Sequence, residues 1–318
     1  MIPGMQQAVM NAFQYSLFYL IFSLPLTLSY RTTKVINFAH ANFITYGAYV
    51  AIFLHGILGL NLMSLAVIVA FALTGSIAVI NNELVFTPLQ KRGSSPAIVM
   101  ISSMGLWIAY KYLLYMITDI AHYYTAKNFV SYGKITYSDV PRGIVGGVDF
   151  SQALVASLVA ASITVVLLYI LLEKTKIGRA IRAVADNPSL AEISGIPRSL
   201  IVNLTWFICG GLVGVGGVIW TSFSGAITPE AGDSMILQVF TVGFIGGLVS
   251  LLRTGIGAVL IATIENVGIA ILNSFFGVPV SFRPFLTFAT LITTLIAFPP
   301  LGAGGGLPYR FLRRGSRK

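Results

Sequence analysis

Polar side chains are scarce in this sequence, and the few that interrupt its apolar stretches mark where chemistry could happen. Glu265 and Asn266 stand together inside "VLIATIENVGIAIL". Asn37, His40 and Asn42 fall within one short stretch of another run. A carboxylate or imidazole in such surroundings can line a polar path, relay protons, or be satisfied by a buried hydrogen-bond partner. A third group is the hydrophilic stretch 175–198, "TKIGRAIRAVADNPSLAEISGIPR", with Lys176, Arg179, Arg182, Asp186, Glu192 and Arg198. Absent motifs limit the rest. There is no G-x-x-x-x-G-K-[ST] to cradle phosphates and no H-E-x-x-H to hold zinc. Cys209 is the single cysteine, so neither a disulfide framework nor a thiolate metal site can form. No Ser/His constellation and no pair of membrane aspartates is present. Neither cofactor, metal site nor enzymatic activity is expected of this chain.

The elements that must position these groups follow from composition. Of 318 residues, 56% are hydrophobic and 9% charged, against about 25% charged in soluble domains. Apolar runs close to 20 residues recur from end to end, the length that crosses about 30 Å of hydrocarbon. They are continuous and do not alternate, which argues against a β-barrel. The class is an all-α, polytopic integral membrane protein with eight to nine crossings. The spans are expected near 8–30, 36–59, 62–86, 96–118, 151–173, 200–222, 234–252, 255–273 and 284–300. The second and seventh are candidates for broken or partly inserted helices. The first apolar run is long enough to be a span rather than a signal.

A net charge of +10 would suit nucleic acid, but its distribution does not. The basic residues lie in short connectors and the tail, the positive-inside pattern. With the C-terminus inside, 15 of 20 lie on the inner side and four (Lys127, Lys134, Arg142 and Arg283) outside. Lys111, near the outer end of the fourth span, can snorkel. The expected arrangement is multi-pass in the cytoplasmic membrane, N-terminus out, C-terminus in, with 175–198 cytoplasmic and 119–150 as the longest outer loop. That loop reads as an ordered lid or short hairpin. Gly210/Gly214 and Gly243/Gly247 have the four-residue spacing that lets helices approach closely.

Within 175–198, a first helical piece continues the fifth span through Ile177, Ile181 and Val184. Asn187 is a favoured N-cap and Pro188 fits the first helical position. Gly195 suits the residue just past the helix end, with Pro197 beyond. Leu190, Ile193 and Ile196 form an apolar stripe, with Ser189 and Glu192 facing away. Such an element could lie at the membrane interface or be a docking knob for a soluble partner. Glu83, near the inner end of its span, is expected to pair with Lys91 or Arg92. For Glu265 two readings stay open: a buried carboxylate hydrogen-bonded to Asn266 or a neighbouring helix, or polar lining of a path.

The stretch 175–198 resembles the cytoplasmic coupling segment of permeases from branched-chain amino acid ABC importers. Gly178, Arg179, Ala180, Arg182, Ala183, Ala185, Ala191, Gly195 and Ile196 stand at the family spacings. "INFAHANFITYGAYVA" (36–51), Glu83 with Pro88, "VGFIGGLVSLLRTGIGAVLIATIEN" and "FPPLGAGG" (298–305) match further family motifs in order. Departures are Ala41-Asn42 where the family has Gly-Glu, Leu84, Thr87 and Gln90 at places usually basic, and a rewritten glycine turn near 246–255.

The resemblance implies the ABC importer permease fold, with 1–318 as a single transmembrane permease domain carrying coupling segment 174–199. It implies transport of branched-chain or related amino acids, with urea, amides or another small solute as the alternative, and a stand-alone secondary transporter as a more distant one. It also implies two ATP-binding subunits, a second permease subunit, identical or related, and an extracytoplasmic solute-binding protein. Coupling to the ATPase would fall on Gly178, Arg179, Arg182, Asn187, Ala191, Glu192 and Gly195. Asn37, His40, Asn42, Glu265 and Asn266 are the residues expected along the translocation path.

Overall fold

The computed structural model describes residues 5–140, 143–145 and 148–297. Its helices are α1 (Met5–Thr33), α2 (His40–Gly56), α3 (Met63–Asn81), α4 (Thr87–Lys91), α5 (Pro96–Thr125), α6 (Gln152–Lys174), α7 (Lys176–Asp186), α8 (Pro188–Ile193), α9 (Arg198–Trp220), α10 (Asp233–Ile245), α11 (Leu251–Thr263), α12 (Ile269–Phe276) and α13 (Arg283–Ala297). Two π-helical turns, Asn82–Phe86 and Ile264–Gly268, join α3 to α4 and α11 to α12 into continuous rods. Each π turn carries an acidic residue, Glu83 and Glu265 respectively.

Among the described residues seven helical rods are long and apolar enough to cross a membrane. The two remaining apolar segments, second and seventh in the sequence, are the short helices α2 (17 residues) and α10 (13 residues). At 1.5 Å per residue α10 covers about 20 Å, less than the hydrocarbon thickness. Both short helices are packed inside the bundle, α2 against α9 and α3, and α10 against α11, α1 and α13. The motif "FPPLGAGG" and the basic tail lie outside the described residues.

α1 and α9 form the centre. Phe18, Tyr19 and Phe22 of α1 and Trp206 of α9 are fully buried, as are Phe43 and Tyr49 of α2. Apolar burial alone cannot hold helices together in lipid, so close packing and interhelical hydrogen bonds must. Gln14 Nε2 donates to Ser157 Oγ (2.8 Å), tying α1 to α6. Thr27 and Thr254 hydroxyls lie 3.0 Å apart, tying α1 to α11.

α9 lies along α3 through small residues. A Cβ on Gly210 would sit 2.6 Å from Ala78 Cβ and 2.7 Å from the Thr74 carbonyl oxygen. Thr74 Oγ1 in turn donates to the Gly210 carbonyl (2.9 Å). Gly210→Ala should therefore destabilise the fold by about 2 kcal/mol, an overpacking cost. Denaturation of the purified protein in detergent measures it, and an unchanged midpoint would mean the α3–α9 contact gives way freely. Gly243 and Gly247 differ from the packing role their spacing suggests. Gly247 has φ +65° and ends α10, with the Leu248 amide donating to the Gly243 carbonyl (2.9 Å).

The loop after α5 is partly helical, because α5 runs on to Thr125 and closes with Ala126 in the left-handed region (φ 55°). β1 (Tyr132–Gly133) pairs antiparallel with β4 (Ala226–Ile227), and β2 (Gly143–Val145) with β3 (Val148–Phe150). Of the lid or short hairpin expected in this loop, the described residues show the antiparallel pair β2–β3. Asp139 accepts from the backbone amides of Met63 (2.7 Å) and Ser64 (2.8 Å). It thereby supplies the α3 N-terminus with the acceptor its free amides need. Burial works against the charge of Asp139, but these bonds from Ser64 and Met63 outweigh it and hold the carboxyl below its ordinary range.

Candidate functional site

The hydrophilic elbow begins with a break. Thr175 is extended (φ −105°, ψ 159°), so α7 is a separate helix and does not continue the fifth span as periodicity suggested. Thr175 Oγ1 accepts from the Gly178 amide (2.9 Å) and donates to the Leu171 carbonyl, which ends one helix and starts the next. Gly178 is buried where a Cβ would lie 2.6 Å from both Cα and carbonyl oxygen of Leu172. Arg182 turns back: Nη1 donates to the Leu172 carbonyl and lies 3.3 Å from Glu173 Oε1. Ile181, Val184 and Ala191 are buried in one apolar cluster with Leu28, Leu172 and Ile201. Three spans, α1, α6 and α9, therefore clamp the elbow.

α8 forms as its caps dictate. Asn187 Oδ1 accepts from the Leu190 amide (3.0 Å), and Pro188 opens the helix. At the far end Ile196 N–H donates to the Ala191 carbonyl (3.0 Å) and Gly195 N–H to the Glu192 carbonyl (3.0 Å), with Gly195 at φ +82°. This is a Schellman closure, in which the positive φ favours glycine.

The apolar stripe departs from expectation. Ala191 is the buried member, Ile196 is half-buried, and Leu190 and Ile193 are 60% and 84% exposed. Of the seven residues singled out here, Gly178, Arg182, Asn187, Ala191 and Gly195 build and anchor the knob. Arg179 of α7 and Glu192 of α8 are exposed, as are Leu190 and Ile193.

The five membrane residues singled out are all buried, each 2% exposed or less. They form two groups. Asn37 Oδ1 accepts from the Ala39 amide (3.0 Å) and sets the turn that starts α2. His40 Nε2 lies 2.9 Å from the Phe22 carbonyl oxygen of α1, one turn before Pro25. Asn42 Nδ2 donates to the Trp107 carbonyl of α5 (3.0 Å). This stretch therefore ties three helices together. Asn37 Nδ2 is buried without a partner among the described residues. Asn37→Leu should lower uptake without abolishing membrane insertion; unchanged uptake at equal expression would remove Asn37 from the path.

Glu265 sits in the second π turn. It accepts from Tyr19 Oη of α1, Thr287 Oγ1 of α13 and Gln238 Nε2 of α10 (3.1 Å). Asn266, the partner that sequence proximity suggested, donates instead to the Ala262 carbonyl (2.8 Å). Tyr19, Gln238 and Thr287 were not foreseen. Their only signal is that a buried carboxylate needs donors, which does not say which of many membrane hydroxyls and amides supply them.

Glu83 departs from its expected pairing with Lys91 or Arg92. Its Oε1 accepts from Asn203 Nδ2 and lies 3.4 Å from Ser199 Oγ, joining the first π turn to the start of α9. Lys111 is paired rather than snorkelling free. Its Nζ lies 3.0 Å from Asp233 Oδ2 and 3.6 Å from Glu230 Oε1. Trp107 Nε1 donates to the other Asp233 oxygen (2.6 Å). One carboxylate at the start of the buried helix α10 is thus held by two groups of α5.

Known proteins resemble this chain along nearly its whole length. A probable branched-chain amino acid transport permease protein LivH of Methanocaldococcus jannaschii is 29% identical over 299 residues, covering 94% of this chain and 90% of the relative. The high-affinity branched-chain amino acid transport system permease protein BraD of Pseudomonas aeruginosa is 25% identical over 312 residues, 94% and 95% of the two chains. Among solved structures, PsaBC from Streptococcus pneumoniae in complex with Fab aligns with a TM-score of 0.49 and 15% identity, over 94% of this chain and 95% of that one. The model of the branched-chain amino acid transport system permease component matches residues 8–295. With nearly every described span inside that match, the chain belongs to the family of permease components of branched-chain amino acid transport systems.

Proposed function

We propose that this chain is the membrane-spanning permease of an ABC importer that moves branched-chain or related amino acids across the cytoplasmic membrane. Two separate ATP-binding subunits drive it, a second permease, identical or related, completes the pore, and a solute-binding protein feeds it from outside. Residues 1–318 act as one transmembrane domain, N-terminus outside and C-terminus inside. The observation that carries this reading is the knob of α8. Leu190 and Ile193 stand out from a short helix capped at both ends, on an elbow clamped to three spans. A rigid element so attached can pass a push from a soluble motor into the bundle. The binding protein docks on the opposite side, over 119–150, 223–233 and 274–283. Asn37, His40, Asn42, Glu265 and Asn266 line the path and are occluded in this conformation. ATP-driven closure of the motor pair shifts the population toward the outward-facing state that receives solute.

Reconstitution tests the reading. Proteoliposomes holding the permease, its ATPases and binding protein should take up labelled leucine or valine only with internal ATP. Uptake by the permease alone would instead make it a secondary transporter. Uptake of urea or amides in place of leucine would keep the machine and change its cargo. Sidedness is checked with membrane-impermeant maleimide. Glu192→Cys should react only from the cytoplasm and Lys127→Cys only from outside. The reverse pattern would end the coupling assignment.

A further inference from the structure

A groove of about 630 Å³ runs between α1, α6 and α11 on the outside of the bundle. Its walls are Leu20 and Leu24 of α1, Leu168 and Leu172 of α6, and Ile256 and Val259 of α11. A shallower hollow shares Ile256 and Val259 and continues to Ile264. From Ser250 to Ile264 the helical rise gives about 20 Å, enough to span the about 15 Å of one leaflet's hydrocarbon.

The ends differ in polarity. Arg31 lines the groove at one end only, beside Ser250 and Leu251 at the start of α11. Ser250 Oγ accepts from the Arg253 amide (3.4 Å), and the amides of Leu251 and Leu252 have no partner within the helix. Exposed Arg253 sits on the same first turn. The acidic residue at this end, Glu173, is already engaged by Arg182 at 3.3 Å. Arg31 and the free amides of a helix N-terminus thus stand at the mouth of a leaflet-long apolar channel, with exposed Arg253 on the same turn but outside its walls.

We infer that this groove is a binding site for an anionic phospholipid, one acyl chain lying along α11 and the phosphate held between Arg31 and the first turn of α11. The observations that select this occupant are the match of length to one leaflet and of charge to one end. A neutral lipid satisfies the first alone. Basic pockets between membrane helices recognise acidic head groups in this way, each cation adding about a fivefold preference. The inference does not rest on the transport reading.

Native mass spectrometry of the purified full chain in neutral detergent tests it, with phosphatidylglycerol or phosphatidylcholine added. The wild type should retain phosphatidylglycerol about 25-fold better, from two cations at about fivefold each. The double variant Arg31→Gln, Arg253→Gln should lose that preference while staying monodisperse. Gly255→Phe fills the groove without touching the charges; a Cβ there meets only Leu20 Cδ2, at 3.6 Å. It should lower retention of both lipids at least tenfold. Equal retention of the two lipids by the wild type overturns the proposal, as does lipid binding unaffected by Gly255→Phe. Displacement by glycerol 3-phosphate would make the site a plain anion pocket and also overturns it. So would a dimer lost on Gly255→Phe with no lipid retained, which would assign the groove to a second copy.

Discussion

Glu265→Leu should destabilise the bundle by on the order of 3 kcal/mol. The carboxylate is the shared acceptor for Tyr19, Gln238 and Thr287, which come from three different helices. Leucine keeps the apolar volume but strands three buried donors, each costing about 1–3 kcal/mol when unsatisfied. Partial rescue by neighbouring carbonyls keeps the sum near the low end. Denaturation in detergent gives the value. Tyr19→Phe removes one donor and leaves the carboxylate two, so it should cost about 1 kcal/mol. Equal stability of Glu265→Leu and the wild type would show that the cluster holds nothing together.

The largest functional effect is expected where the fold has least at stake. Leu190 and Ile193 stand outside the apolar cluster that clamps the elbow and are 60% and 84% exposed. Replacing both by Asp should leave the denaturation midpoint and membrane abundance unchanged, because exposed substitutions typically alter stability by about 0.5 kcal/mol or less. ATP-driven uptake should fall by about 100-fold, since two charges would enter a desolvated contact with the motor. Uptake near the wild-type level would remove the knob from the drive train. A fall in abundance to match would make it a structural part instead.

Much of this arrangement was legible because its causes are local. Asn187, Pro188 and Gly195 set the ends of α8 by their own backbone and side-chain preferences, with no help from the bundle. The short second and seventh helices announced themselves by polar or glycine-rich ends. The break at Thr175 was written there too, in a capping Thr three residues before Gly178, but the apolar period running on through Ile177 and Ile181 masked it.

What could not be read depends on residues far apart in the chain. Tyr19 lies 246 positions from Glu265, and no periodicity links them. Glu83 sits near two cations in sequence, yet Asn203 of α9 reaches it first. Periodicity placed Leu190 and Ile193 on one short helix with Ile196 just past its end. It could not say that small Ala191 would be the residue facing the cluster, since that depends on how α7 sets the helix down.

The wide turns at Asn82–Phe86 and Ile264–Gly268 impose a phase on everything after them. Each residue of a regular helix advances the direction of its side chain by about 100°. One additional residue in a turn therefore swings the following half of a rod by that angle. The bearing of α12, with Ile269 turned inward and Phe275 and Phe276 outward, is set by the five residues before it rather than by its own pattern. Insertions or deletions of one residue within 264–268 are accordingly rotations of a half-rod more than changes of its length, and they would swing its inner face about 100° aside, drawing Ile269 off its packing.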